Sequence, residues 1–96
     1  LHFDEGLCDV RLDGRLAGLT PSEFRLLDTL YRNQEEVLSK AFLYQQVLQR
    51  GYSRHDRSLD MHVSQIRRKL KGIGYQGLQI RTVWGKGYVL GVGEAQ

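Results

Sequence analysis

The sequence predicts an α+β domain. Short antiparallel strands come first, then three helices, then a C-terminal β-hairpin. Three observations predict it. Apolar residues alternate with polar ones near both ends, the period of a strand. Three segments between them space their apolar residues at helical intervals. Turn dipeptides and glycines mark the boundaries. At 96 residues the chain suits one domain, 1–96, and not two.

Each element has its own justification. Cys8, Val10 and Leu12 alternate with Asp9 and Arg11, as in a half-buried strand. Asp13-Gly14 suits a two-residue hairpin turn, since both residues accept positive φ. Arg15 to Leu19 is then the return strand. In "TPSEF", Thr20 is an N-cap, Pro21 fits the first helical position and Glu23 completes a capping box. Phe24, Leu27, Leu30 and Tyr31 form that helix's apolar stripe, and Asn33 lies near its end. A second helix starts after Ser39, turns Leu43, Val47 and Leu48 inward and stops at Gly51. The third is "DRSLDMHVSQIRRKL", 56–70, with Asp56 as its carboxylate cap. Leu59, Val63, Ile66 and Leu70 fall on one side of it, within roughly 60° of each other. "GIGYQG" ends it. In the hairpin, Leu78 and Ile80 alternate with Gln79 and Arg81. Tyr88, Leu90 and Val92 alternate with Val89 and Gly91, and "GKG" at 85–87 places Lys86 at the tip.

Charge separates the two halves. Residues 1–49 carry 5 Lys/Arg against 8 Asp/Glu, a net of −3. Residues 50–96 carry 9 against 3, a net of +6. A basic half suggests a polyanionic partner, although a solvated basic surface gives the same count. The one cysteine, Cys8, excludes an internal disulfide and fits a reducing compartment. There is no apolar run of membrane-spanning length and no visible signal peptide, so a cytoplasmic location is expected. Because the chain begins at Leu1, a fragment of a longer protein is expected.

Catalysis and metal binding find little support. Ser53, His55 and Asp56 are neighbours in sequence, but nucleophilic triads assemble from distant positions around a supported nucleophile. His55 and His62 need not share a helix face, and no Cys/His spacing resembles a zinc module. "GKGYVLG" sits between strands, not at the strand-to-helix junction of a dinucleotide site. The expectation is therefore no enzyme, no metal and no cofactor.

The third helix suits another task. Opposite its apolar stripe it presents Arg57, Met61, Ser64, Gln65 and Arg68, with His62, Arg67 and Lys69 on the flanks. Such a helix fits the DNA major groove when one side anchors it and the other is polar and basic. Two helices before it and a hairpin after it match a helix-turn-helix with a wing. Arginines at both ends can neutralise phosphates, Ser64 and Gln65 can bond base edges, and Met61 can touch a thymine methyl. An ordinary amphipathic surface helix shares this pattern, so both readings stand on periodicity and charge alone.

Three blocks go further. "LTPSEFRLLDTL" at 19–30, "DRSLDMHVSQIRRKL" at 56–70 and "IRTVWGKGYVL" at 80–90 resemble the signature blocks of one family. It is the winged-helix DNA-binding (effector) domain of OmpR/PhoB-type response regulators. The resemblance covers nearly the whole chain in the right order.

It implies a four-stranded antiparallel N-terminal sheet, three helices and a C-terminal wing. It also implies an upstream receiver domain, a cognate histidine kinase, and a function in transcription through double-stranded DNA. Two domains would meet as a dimer on direct-repeat half-sites, the isolated domain being monomeric. The loop Arg50, Gly51, Tyr52, Ser53, Arg54 and His55 would face RNA polymerase. Arg57 matches a backbone-contacting arginine; Ser58, Asp60 and Met61 match positions near the groove floor; His62 and Arg67 match phosphate-contacting positions. Ser64 and Gln65 stand where several members carry arginine. Thr82 matches a backbone-contacting threonine. Trp84 departs from an arginine that is common in the wing and reaches the minor groove, so Arg81 and Lys86 are expected to supply the backbone or minor-groove contacts instead. Trp84 itself is expected to pack against the sheet or the end of the third helix. The alternative function is a winged-helix module acting mainly through protein contacts.

Overall fold

A computed structural model describes residues 1–53 and 55–92. Strands β1 (His2–Asp4), β2 (Asp9–Leu12) and β3 (Arg15–Leu16) form an antiparallel sheet in that order. Helix α1 (Pro21–Arg32) follows. Then come β4 (Leu38–Ser39), α2 (Lys40–Leu43) and α3 (Ser58–Gly72). The chain closes with β5 (Leu78–Val83) and β6 (Gly87–Val92), and the second sheet has the order β4-β6-β5.

The N-terminal sheet therefore has three strands among the described residues, not four. The short β4 pairs instead with the wing, Leu38 opposite Tyr88 and Ser39 opposite Gly87. Gly87 permits this approach, because a Cβ there would stand 2.0 Å from the Leu38 carbonyl oxygen. The β2–β3 turn is as expected, with Asp13 at φ 51° and Gly14 at φ 82°. Two details of this region differ. Cys8, at φ 52°, belongs to the preceding turn. The return strand ends at Leu16, and after one more bond, from Ala17 N–H to the Val10 carbonyl, the chain is taken up by Asp9. Its carboxylate is buried and accepts from Val10, Gly18 and Leu19 N–H, which closes the chain back toward α1.

Local chemistry explains the helices. Thr20 Oγ1 accepts from Glu23 N–H, and the Glu23 carboxylate accepts from Thr20 N–H, the reciprocal capping box. Phe24, Leu27 and Leu30 are buried as expected, and Leu26 with them. Tyr31 is exposed and leans on Phe3, with ring centroids 4.6 Å apart. Ser39 caps α2. The helix then widens into a π-helical turn, Tyr44–Leu48, and ends at Gln49, which adopts the left-handed conformation at φ 57°. Gln49, not Gly51, stops it. Tyr44 is buried with Leu43 and Val47, while Leu48 is half-buried.

The core joins these elements. Leu59, Val63, Ile66 and Leu70 of α3 are at most 6% exposed. They pack with Val10, Leu27, Leu30, Leu43, Val47, Ile80 and Leu90. Strand β6 is central in its sheet and is buried on both faces, so Val89 and Gly91 are buried too, whereas Val92 at its end is exposed. Glu35 closes the outer face, its carboxylate 2.7 Å from where a Gly91 Cβ would stand.

Candidate nucleic-acid interface

The start of α3 is held by side chains from three directions. Asp56 Oδ1 accepts from Ser58 N–H at 2.9 Å, the expected carboxylate cap acting from just outside the helix. Hydrogen bonds from the Ser58 N–H and side chain, then the Arg50 guanidinium, hold the Asp56 carboxyl below the usual carboxylate range. Arg50 pairs with Asp56 at 2.6 Å and donates to Ser58 Oγ at 2.8 Å. From beneath, Tyr44 donates its O–H to the Asp56 carbonyl at 2.7 Å and accepts from Leu59 N–H. Sequence reasoning did not name Tyr44, although a 3.6-residue period places it among Leu43, Val47 and Leu48 on the inward side; its hydrogen-bond partners lie 12 and 15 residues away in sequence.

The outer face of α3 is as expected. Arg57, Met61, Ser64 and Arg68 are exposed and Gln65 is half-exposed, with Met61 63% exposed. Arg68 donates to Gln65 Oε1, leaving the Gln65 amide N–H groups directed elsewhere. His62 is half-buried, its Nδ1 2.7 Å from the Ser58 carbonyl.

Two ties join α3 to the wing. Arg67 Nε and Nη2 donate to the Ile80 carbonyl at 3.0 and 2.7 Å, and Nη2 reaches Thr82 Oγ1 at 3.2 Å. Near the other end, Tyr88 donates to Asp60 Oδ1, and Lys40 Nζ lies 3.4 Å from the same oxygen. Burial, then the bond to Asp60, raises the Tyr88 phenol above its ordinary value. Asp60 thus faces α2 and β6. Sequence reasoning did not find Tyr88 or Lys40, since their partners are distant in sequence and neither belongs to a local motif.

The wing divides the remaining candidates. Thr82 and Lys86 are exposed, with Lys86 in the turn. Arg81 alternates with Ile80 and Thr82 along the strand and so points to the opposite sheet face, where Glu35 lies 3.9 Å away. The structure places Arg57, Met61, Ser64, Gln65 and Arg68 on the outer side of α3 and sets Arg57 beside Thr82 in one groove; Lys86 instead lines a groove with Lys40 and Tyr52, and Arg81 stands apart beside Glu35. Trp84 corrects the sequence expectation: it stands 89% exposed in the turn between β5 and β6, not packed against the sheet or the end of α3.

In the preceding loop, Gly51, Tyr52, Ser53 and His55 are exposed. Tyr52 rests against the Tyr44 ring at 5.1 Å. Arg54 lies outside the described residues. Among the described residues no cluster of three or more His, Cys, Asp or Glu could hold a metal, and no helix is long and apolar enough to cross a membrane.

Comparison with known proteins agrees with this geometry. The family model described as "Transcriptional regulatory protein, C terminal" matches residues 14–90. The chain is 53% identical over 90 residues to the transcriptional activator protein PfeR of Pseudomonas aeruginosa, covering 94% of this chain and 30% of that protein. It is 37% identical over 92 residues to the transcriptional regulatory protein BaeR of Escherichia coli, covering 92% and 37%. The chain thus spans about a third of these curated relatives. Among solved structures it resembles the DNA-binding domain of CpxR from Escherichia coli, with TM-score 0.79 and 32% identity over 94% of this chain and 88% of that one. It also resembles the Klebsiella pneumoniae RstA DNA-binding domain in complex with the RstA box. There the TM-score is 0.76 and the identity 27%, over 93% and 88% of the two chains.

Proposed function

The chain belongs to the family of C-terminal domains of transcriptional regulatory proteins, the OmpR/PhoB-type winged helices, and we propose that it binds double-stranded DNA sequence-specifically through α3 and the wing. One observation carries this reading. The side of α3 opposite the buried Leu59, Val63, Ile66 and Leu70 is open and flanked by a wing tied to it at Asp60 and Arg67. A helix so anchored can enter a major groove while the wing meets the adjacent backbone.

The residues divide by role. Ser64, Gln65 and Met61 read base edges. Arg57, Arg68, His62 and Lys86 meet phosphates, with Ser58 and Thr82 as hydroxyl donors to the backbone. Arg67 supports the wing while its exposed edge faces the backbone. Asp60 orients the helix, since a carboxylate bound by Tyr88 and Lys40 is a poor neighbour for phosphate. Arg81 joins the outer side of the wing. The role is binding, not catalysis.

Residues 1–96 act as one effector domain, and the share of its relatives that the chain spans leaves room for a receiver domain addressed by a histidine kinase. Phosphorylation then pairs two domains on direct-repeat half-sites in the cytoplasm, and the 50–55 loop faces RNA polymerase.

The test is selection of duplexes from a random pool, followed by titration of a labelled selected duplex across a salt series. Tighter binding to the selected than to a random duplex, with log K falling linearly against log salt, is expected. Equal affinity for both would overturn the reading.

A further inference from the structure

We propose that the domain takes up a proton when it binds DNA, and that the imidazole of His62 receives it. This inference rests on the reading of α3 as a DNA-binding helix with His62 among its phosphate-facing residues. It adds a regulation of that surface: affinity that rises as the pH falls through the neutral range.

A single contact carries it. His62 Nδ1 lies 2.7 Å from the Ser58 carbonyl oxygen. A carbonyl oxygen can only accept, so Nδ1 holds a hydrogen. The other tautomer would set a ring lone pair against the carbonyl lone pairs at that distance. In a neutral imidazole one nitrogen donates and the other accepts, so neutral His62 is left with a bare Nε2. A bare nitrogen offers a phosphate oxygen no hydrogen, only a second lone pair. The imidazolium, with Nδ1–H kept on Ser58, can donate Nε2–H to a phosphate. One nitrogen is thus committed to the helix, and the other becomes a donor only on protonation.

The surroundings leave that proton to the DNA. His62 is half-buried on the side of α3 that meets Glu23 of α1. Glu23 is paired with Lys69 of α3 at 2.6 Å. From the preceding loop, Arg50 reaches Ser58 Oγ at 2.8 Å and is paired with Asp56. Each of these charges already has its opposite, and among the described residues no carboxylate bonds to the His62 ring. Burial would raise the Glu23 carboxyl, but Lys69 and the Thr20 N–H hold it below its ordinary value, so it stays ionised where histidine titrates. A phosphate brought to Nε2 is then the anion that favours imidazolium. Because binding favours the charged ring, this contact is fully present below the titration of the free domain. It is lost as the pH rises through that of the complex.

Anisotropy of labelled selected and random duplexes, followed between about pH 5.5 and pH 8, tests this. Affinity of the native domain should fall about tenfold across the range, the effect of one charged hydrogen bond. The slope of log K against log salt should be steeper by about 0.9 at the acid end. Both duplexes should show the fall, since phosphates are common to them. In His62→Gln, affinity and slope should no longer vary with pH. His2 and His55 are the other two histidines, and His2→Gln with His55→Gln should keep the native dependence. Nitrogen-15 spectra of the native domain at the alkaline end should place the ring hydrogen on Nδ1, with hydrogens on both nitrogens once DNA is bound. Constant native affinity, or a fall that survives in His62→Gln, would overturn the proposal and leave DNA binding standing. So would a free ring with its hydrogen on Nε2. A fall confined to the selected duplex would assign Nε2 to a base and overturn the phosphate contact. Failure to bind any duplex at any pH would overturn the reading of α3 itself.

Discussion

Tyr88, in the central strand of the wing sheet, donates its phenolic hydrogen to Asp60 in the first turn of α3, and Lys40 of α2 approaches the same oxygen. One carboxylate thus fixes three elements. Asp60→Ala should leave a buried phenol and an ammonium without their acceptor, costing about 1–3 kcal/mol. Tyr88→Phe removes the donor instead and should cost about 1 kcal/mol. Urea unfolding measures both. Amide exchange at Thr82 and Val83 should quicken in Asp60→Ala. Unchanged exchange would show that the wing is held without this tie.

Base preference should depend on Gln65 more than on Arg67. Gln65→Ala should lose about 1–3 kcal/mol at its preferred base. Arg67→Ala should weaken all sequences alike and also lower stability, because the Ile80 carbonyl and Thr82 lose their donor. A panel of duplexes with single base changes separates the two. If Gln65→Ala lowers affinity equally for selected and random DNA, Gln65 does not read bases.

Ile66→Asp should unfold the domain, whereas Arg68→Ala should leave it folded with weaker DNA binding. Ile66 is fully buried, and an unpaired charge there costs several kcal/mol. That is a large share of a small domain's stability. Thermal melts followed by circular dichroism give the answer. A cooperative transition in Ile66→Asp near the native temperature would contradict the packing described for α3.

Acid should loosen the contact between α1 and α3. Burial by itself would raise the Glu23 carboxyl, but the Lys69 ammonium at 2.6 Å and the Thr20 N–H prevail and hold it below its ordinary value of 4.5. A lowered folded value means stability that is present above about pH 4.5 and lost as pH falls through the folded value. Glu23→Gln should therefore be destabilised at neutral pH by about 2 kcal/mol, and the gap should narrow in acid. Melting temperatures of both proteins from pH 7 to pH 3 test this; a constant gap would remove Glu23 as its cause.

Much of this was legible in the chain because its signals are local. The capping box at Thr20 and Glu23, the Asp13-Gly14 turn and the α3 stripe each lie within a few residues, where propensity and periodicity act directly. The outward set on α3 followed from the same phase. Trp84 was misjudged for the opposite reason. Burial depends on what stands above a residue, and no local pattern says that nothing stands above the wing tip.

The sequence by itself determined the order of elements, the buried face of α3 and the basic character of its surroundings. Tertiary structure alone decided how α3 and the wing are set against each other. That geometry rests on Tyr88 with Asp60, Arg67 with the Ile80 carbonyl, and Tyr44 beneath Leu59, pairs separated by 28, 13 and 15 residues. It also rests on β4 joining β6 across the chain. Such contacts form only after the core has brought distant segments together, so chain closure and packing select them, not any property of the residues one by one.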